Sequence, residues 1–310
     1  PLPNDVYERA QQALEANYEA EFYVQENDDI LDRYDNTVGI QLSPHSLFEI
    51  DPAVPANMNR IRFKSMIGYK LPDRSEYLWS KIGGRGPKQT ESQLDIHQIT
   101  IYSEKGSDTA SAFFEIPITM LDPFNNSNTA GPGDMVIGAK SVMLQDENWV
   151  ITSLMRTYTP IGTPRRGLGR GHLSLEPGVA VQWRWGRRTY MYSNMKFHFP
   201  IAANFDFGGE VLITGIGFTR VLLTDPVSPP VGRSWALVMT SETIITSFLD
   251  GLMTLPNGTV VDAEGSVAVQ NLGLRYIWTK RFSTGFSMGV PISSTELFDM
   301  SILTEFQWIY

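Results

Sequence analysis

The chain has 310 residues, 42% of them hydrophobic, enough for one large domain or two ordinary ones and for ample burial in water or in lipid. No run of about 18 uncharged apolar residues occurs, which excludes a helical membrane protein but not a barrel, whose strands alternate. The absence of cysteine removes disulfides and thiolate metal sites, and a formal charge of −9 argues against nucleic acid as a partner.

The chain opens at Pro1 without Met or an apolar leader, so any secretory signal is expected to have been removed already. Residues 4–25 carry the one good helical pattern. Val6, Tyr7, Ala10, Ala13, Leu14 and Tyr18 recur at three and four, with Asn4 or Asp5 available as N-cap. Residues 26–57 are acidic and then Pro-rich, and read as a linker. The expected first unit, 1–57, is therefore a helix and linker on the periplasmic side. The helix either plugs a barrel, docks an envelope partner or a second copy of the chain, or is a frayed tail.

From residue 58 the period becomes two. Strands are predicted near 58–70, 94–104, 109–118, 134–144, 148–159 and 172–185, then near 189–199, 210–223, 233–246, 266–278, 282–291 and 300–310. Twelve is an even number, as a closed antiparallel barrel with both ends on one side requires, and 10–14 residues suit tilted strands crossing a bilayer. The connections alternate short and long, the exception being 224–232, which is long where a short turn is expected. The fold class predicted for 58–310 is all-β: a closed antiparallel transmembrane β-barrel of the bacterial outer membrane, with both termini periplasmic.

Splitting each strand into faces separates greasy from polar side chains. Phe282, Phe286, Met288 and Val290 oppose Ser283, Gly285, Ser287 and Gly289. In the first strand Ile61, Phe63, Ile67 and Tyr69 oppose Arg60, Arg62, Lys64 and Lys70. A soluble sandwich would show the same alternation with the polar face outside; strand length and aromatic strand ends favour the membrane. The polar faces supply candidate lumen or selectivity charges: Arg60, Arg62, Lys64, Lys140, Arg156, Arg184, Lys196, Arg220 and Arg275, against Glu115, Glu176, Glu242 and Glu305. Expected pairs are Glu115 with Lys140, Arg156 with Glu176, and Glu305 with Arg62 or Lys64 across the closure. Such charges brace a narrow barrel, or form a basic constriction that favours anions. Phe306, Trp308 and Tyr310 end the last strand as alternating aromatics, similar to the C-terminal signal read by the barrel-assembly machinery.

Three stretches carry a family resemblance. Gly131-Pro132-Gly133-Asp134 through Gly138-Ala139-Lys140 resembles the Gly-x-Gly-Asp…Gly-Ala-Lys strand opening of outer-membrane proteins grouped as putative phenol-degradation, meta-pathway. Arg156-Thr157-Tyr158-Thr159-Pro160-Ile161-Gly162 is similar to that family's Pro-Thr-Gly strand exit, with Ile161 in place of the usual Thr. Gly167-Leu168-Gly169-Arg170-Gly171-His172 resembles its Leu-Gly-x-Gly loop, followed by Glu176-Pro177-Gly178. The segment 167–177 also resembles uncharacterised secreted proteins of planctomycete-type bacteria. The resemblance covers about residues 131–310 and implies a transporter-like barrel passing small, often hydrophobic or aromatic, compounds; it carries no catalytic residues.

The expected function is a passive outer-membrane channel, with a closed structural or assembly barrel as the alternative. No enzyme activity, cofactor or metal is expected. His45, His97, His172 and His198 are scattered without metal-ligand spacing. His172 and Ser174 share a face and could in principle form the core of a barrel-wall lipid hydrolase. Gly167-x-Gly-x-Gly lacks the following helix that a phosphate loop needs and reads as an outer loop. Outer-membrane lipid is the expected surrounding partner.

Overall fold

The computed structural model describes residues 45–186, 188–204, 206–224, 235–279 and 281–310. The helix read over 4–25, most of the acidic linker, and the 225–234 connection lie outside these. Fifteen strands are described: β1 (Met58–Lys70), β2 (Gln93–Gly106), β3 (Ala110–Pro123), β4 (Thr129–Pro132), β5 (Met135–Gln145), β6 (Trp149–Thr159), β7 (Leu173–Arg184), β8 (Thr189–Ile201), β9 (Val211–Thr224), β10 (Ala236–Phe248), β11 (Leu252–Thr254), β12 (Val260–Asp262), β13 (Gly265–Ile277), β14 (Phe282–Pro291) and β15 (Met300–Ile309). β11 and β12 form a small hairpin of their own. The rest make one sheet in the order β2-β1-β15-β14-β13-β10-β9-β8-β7-β6-β5-β3-β4, and an additional β2–β3 pairing closes it into a ring. β4 pairs with the far half of β3 and β5 with the near half, so the two act as one wall strand interrupted at Gly133-Asp134. Twelve antiparallel wall strands result. Closure removes the free edges that an open sheet would expose.

The chain crosses the seam between its first and last strands. β1 and β15 run in register from Met58↔Ile309 to Ile67↔Met300, with Arg62 directly opposite Glu305. Tight turns at 107–109 and 146–148 share one end of the barrel with Met58, Ile277, Phe282 and Tyr310. The connections 71–92, 124–128, 160–172, 202–210, 249–264 and 292–299 are at the other.

The burial pattern is inverted relative to a soluble protein. Glu104, Glu176, Glu242 and Glu305 are each 0% exposed on the inner face, whereas Ile61 (53%), Leu272 (60%) and Phe286 (47%) stand out from the wall. A continuous apolar exterior around a charged interior is unstable in water and matched to hydrocarbon. Six of the seven tryptophans (Trp149, Trp183, Trp185, Trp235, Trp278 and Trp308) gather at the short-turn end. Trp149 stacks on Trp183 and Trp183 on Trp185 there, an arrangement suited to a bilayer interface.

Two face assignments are corrected. A bulge between Met66 and Tyr69 in the β1–β2 ladder inserts an extra residue and swaps the faces beyond it. Tyr69 is consequently buried in an internal cluster with Trp79, Leu94 and Phe298, while Lys70 pairs with Glu296 and Asp299. Arg220 points out of the wall because Thr219, fully buried, takes the inward position on β9.

Candidate functional site: an occluded polar lumen

Residues 45–57 are not a linker outside the barrel. Their partners are distributed around the wall: Glu49 pairs with Lys64 on β1, the Ala56 N–H donates to Glu104 on β2, and the Thr152 hydroxyl on β6 donates to the Ala53 carbonyl. Asp51 bridges Arg156 on β6 and Lys196 on β8 at 2.8 Å each, and Arg275 on β13 donates to the Ser46 carbonyl. Only a segment inside the ring can touch all of these. His45 and Ala56 lie near the short-turn end and Phe48–Asp51 near mid-height, so the segment enters, turns and returns: a plug with its apex at 48–51.

The apex is held by a buried carboxylate. Glu242 accepts the backbone N–H groups of Phe48 (2.8 Å), Glu49 (2.8 Å) and Ile50 (2.9 Å). Three convergent amides satisfy a charge that burial would otherwise penalise. Phe48 fits because the wall is bare beside it. A Cβ on Gly273 or Gly285 would come within 2.6 and 2.5 Å of its ring, and the Arg275 guanidinium covers that ring with 4.7 Å from Cζ to its centroid.

Charges on the wall are paired in networks that the plug completes. Arg156 meets Asp51 at 2.8 Å and Glu115 at 2.7 Å, with Glu176 at 3.4 Å. Glu305 joins Arg62 (2.9 Å) and Arg275 (2.6 Å). Lys140 pairs with Glu104 at 3.0 Å rather than with Glu115, because Glu115 is held by Arg156. Arg184 lies partly exposed on the inner face at the short-turn end, and Arg220 is not luminal. Sequence reasoning missed Glu49, Asp51 and Glu104. The nine cations against four carboxylates assigned to the lumen were the signal that acids were still to be found.

For Asp51, burial alone would raise the carboxyl, but Arg156 and then Lys196 outweigh it and hold the group below its ordinary range. Glu49 behaves alike: burial opposes, and Lys64 followed by Arg62 prevails.

The first loop closes the mouth from the opposite side. Asp73 accepts from the Thr254 hydroxyl at the end of β11, Ser75 donates to the Asp250 carbonyl, and Glu76 accepts the N–H groups of Lys81 and Asn204. Trp79 is fully buried beneath it. Between plug and loop is a cavity of about 290 Å3 lined by Tyr77, Tyr102, Tyr158, Arg60, Glu115 and Arg156, among others. Arg60 is buried there with one guanidinium nitrogen lacking any hydrogen-bond partner among the described residues; its cation stacks on the Tyr102 ring.

The remaining candidates resolve as follows. Ser174 Oγ lies 3.1 Å from His172 Nδ1, and His172 Nε2 is 3.7 Å from Glu76. Ser174 is fully buried and burial pushes the imidazole down to about 4, so the trio has neither substrate access nor an exposed nucleophile. His97 faces outward, stacked on Phe63 and bonded to Ser65. The motif glycines converge on Asp134, whose carboxylate accepts the N–H groups of Gly162 (3.1 Å) and Arg170 (2.6 Å) and so ties the β4–β5 break to the 160–172 loop. Phe306, Trp308 and Tyr310 are exposed on the outer face. No His, Asp or Glu grouping among the described residues is suited to a metal ion.

No family model matches the sequence and no curated protein matches it significantly. Among solved structures, the chain is similar to the COG4313 outer membrane channel from Pseudomonas putida F1, at 13% identity and a TM-score of 0.55, covering 84% of this chain and all of that one. It is also similar to the NanC porin (8% identity, TM-score 0.45, 81% and 98% of the two chains). The KdgM porin in complex with disordered oligogalacturonate is comparable (9% identity, TM-score 0.44, 82% and 99%). The first similarity shows the fold, a closed twelve-strand barrel. The finer resemblance to the phenol-degradation group is not shown by any family match.

Proposed function

We propose that this protein is an outer-membrane channel for small molecules, with both termini periplasmic and its lumen held shut by residues 45–57. The carrying observation is that the obstruction is not part of the wall: a turn of chain outside the strands fills a polar lumen through replaceable side-chain and N–H contacts. The inverted exterior supports membrane residence, and the structural similarity to the P. putida outer membrane channel supports the class of function. The resemblance to the phenol-degradation group supports small aromatic solutes, and the unpaired Arg60 beside Tyr102 and Tyr158 supports those bearing an anionic group. Planar-bilayer recording of the full chain and of a form lacking 1–57 tests this. The channel reading expects conductance to rise in the truncated form, and a silent bilayer with both forms would sink it in favour of a closed structural barrel.

A further inference from the structure

A second cavity, about 480 Å3, opens at the loop end, away from the lumen's charge networks. No Asp or Glu lines it. Lys88, Arg165 and Arg166 do, and none of the three has a carboxylate partner among the described residues. In a chain of net charge −9, three cations left together without counter-charge mark a place where an anion would be attracted. Amide and hydroxyl groups, including Gln89, Asn128 and Ser127, also line it, with Trp79 and Leu121 buried beneath.

The cavity's two walls are built in advance. Glu91, almost fully buried, accepts the N–H groups of Phe124 (3.0 Å), Asn125 (2.8 Å) and Asn126 (2.6 Å), fixing the 124–128 loop from behind. The opposite wall is the single 3₁₀ turn Pro164–Arg166, ended by Gly167 in the left-handed conformation and anchored through the Asp134 contacts to Gly162 and Arg170. The motif residues of the sequence therefore serve to present Arg165 and Arg166. A prearranged site loses less entropy on binding than one formed from free loops.

We propose that this cavity binds an anionic saccharide, a sugar carrying a phosphate or carboxylate group. The cations answer the charge, and the amides and hydroxyls can both donate to and accept from sugar hydroxyls. Two sources present this chemistry: a free sugar acid or sugar phosphate outside the cell, and the headgroup of a membrane-anchored glycolipid. A neighbouring cavity shares Arg166, Asn128 and Leu121 and is lined by Asp122 and, on the outer wall, by His97 and Met120, so the site adjoins the membrane-facing surface.

The test is calorimetric titration of the full chain in zwitterionic detergent with glucose 6-phosphate, glucuronate and glucose. The two charged sugars are expected to bind at least about tenfold tighter than glucose. An Arg165→Gln/Arg166→Gln double variant should lose about tenfold or more, and Lys88→Gln should lose less. Lys105→Gln, a charge loss at the short-turn end, should leave affinity unchanged. Native mass spectrometry of the purified chain identifies the source: glycolipid retained by the parent and lost from the double variant points to the membrane, whereas sugar binding without retained glycolipid points to a free solute. Equal binding of glucose, unchanged affinity in the double variant, or neither sugar binding nor glycolipid retention overturns the proposal. None of these readouts depends on conductance, so the channel reading can fail or hold independently.

Discussion

The plug and the first loop both obstruct the barrel, and they are held by different physics. The plug apex is fixed by charge: a buried carboxylate gripping three amides, and Asp51 between an arginine and a lysine. The loop adds packing to its hydrogen bonds: Trp79 and its neighbours Tyr69, Leu94, Leu121 and Phe298 form an internal cluster, while Asp73 and Glu76 accept from uncharged hydroxyl and N–H groups. Its backbone is also strained, with Leu71, Ser75 and Glu76 at positive φ of 50°, 51° and 48°. Apolar packing is insensitive to protonation, whereas buried charge contacts depend on each partner keeping its state. The plug, tied by the ion pairs of Glu49 and Asp51, is thus the more sensitive of the two to protonation.

The largest expected effect is on the loop. Trp79→Ala removes a fully buried indole and should cost about 3–5 kcal/mol locally, seen as faster amide exchange across 73–82 with exchange at 48–50 unchanged. Loss of protection at both places would mean that plug and loop are one cooperative unit. Next, Glu242→Ala leaves three inward N–H groups without an acceptor. Water entering the vacated space meets part of the cost, so the net loss should be about 2–3 kcal/mol and exchange of Phe48–Ile50 should rise about a hundredfold. Asp51→Asn should have a smaller effect, on the order of 1–2 kcal/mol, because Arg156 keeps Glu115 and Lys196 keeps Glu176 nearby. Bilayer recordings should show more frequent opening in that variant.

Acid sharpens the same contrast. Asp51 is held below the ordinary 3.8, so its contribution to docking is complete above that value and is lost only as pH falls through the depressed one. Glu49, lowered from 4.5, acts in the same direction. His45 at the start of the same segment is buried neutral, its imidazole pushed down to about 3 by burial, so its share of docking is lost progressively as pH falls below the ordinary 6.5. Plug mobility, read from a spin label at Val54, should begin to rise below about pH 6 and more steeply below about 4. A flat response down to about pH 4 would show that His45 is not docked as a neutral ring. The smallest effect belongs to Leu71→Gly, which relieves a left-handed conformation and should stabilise by about 1 kcal/mol in thermal unfolding.

Much of the wall was legible because alternation is a local property. Period two, strand length and the spacing of turns placed all twelve wall strands, and closure between the first and last of them brought Arg62 opposite Glu305. The β1 bulge was not legible: a one-residue insertion leaves no mark on composition, yet it exchanges the positions of Tyr69 and Lys70. Arg220 was misplaced because β9 is apolar on both faces near its end, so alternation there cannot distinguish inside from outside.

The plug was hidden for a different reason. Leu47, Phe48 and Ile50 interleave with Glu49 and Asp51 in a Pro-rich stretch that has no period of its own, since it follows the shape of the cavity rather than a helix or strand. Its traces in the sequence were indirect: too many luminal cations for the carboxylates at hand, and inward glycines at 273 and 285 that leave room for a foreign ring. By itself, the sequence determined a twelve-strand amphipathic wall, because each strand's two faces are set by neighbours one and two residues away. Only the tertiary structure decided which face is the lumen, what fills it and which charges meet, because those contacts join residues up to 243 positions apart and depend on the closure of the ring.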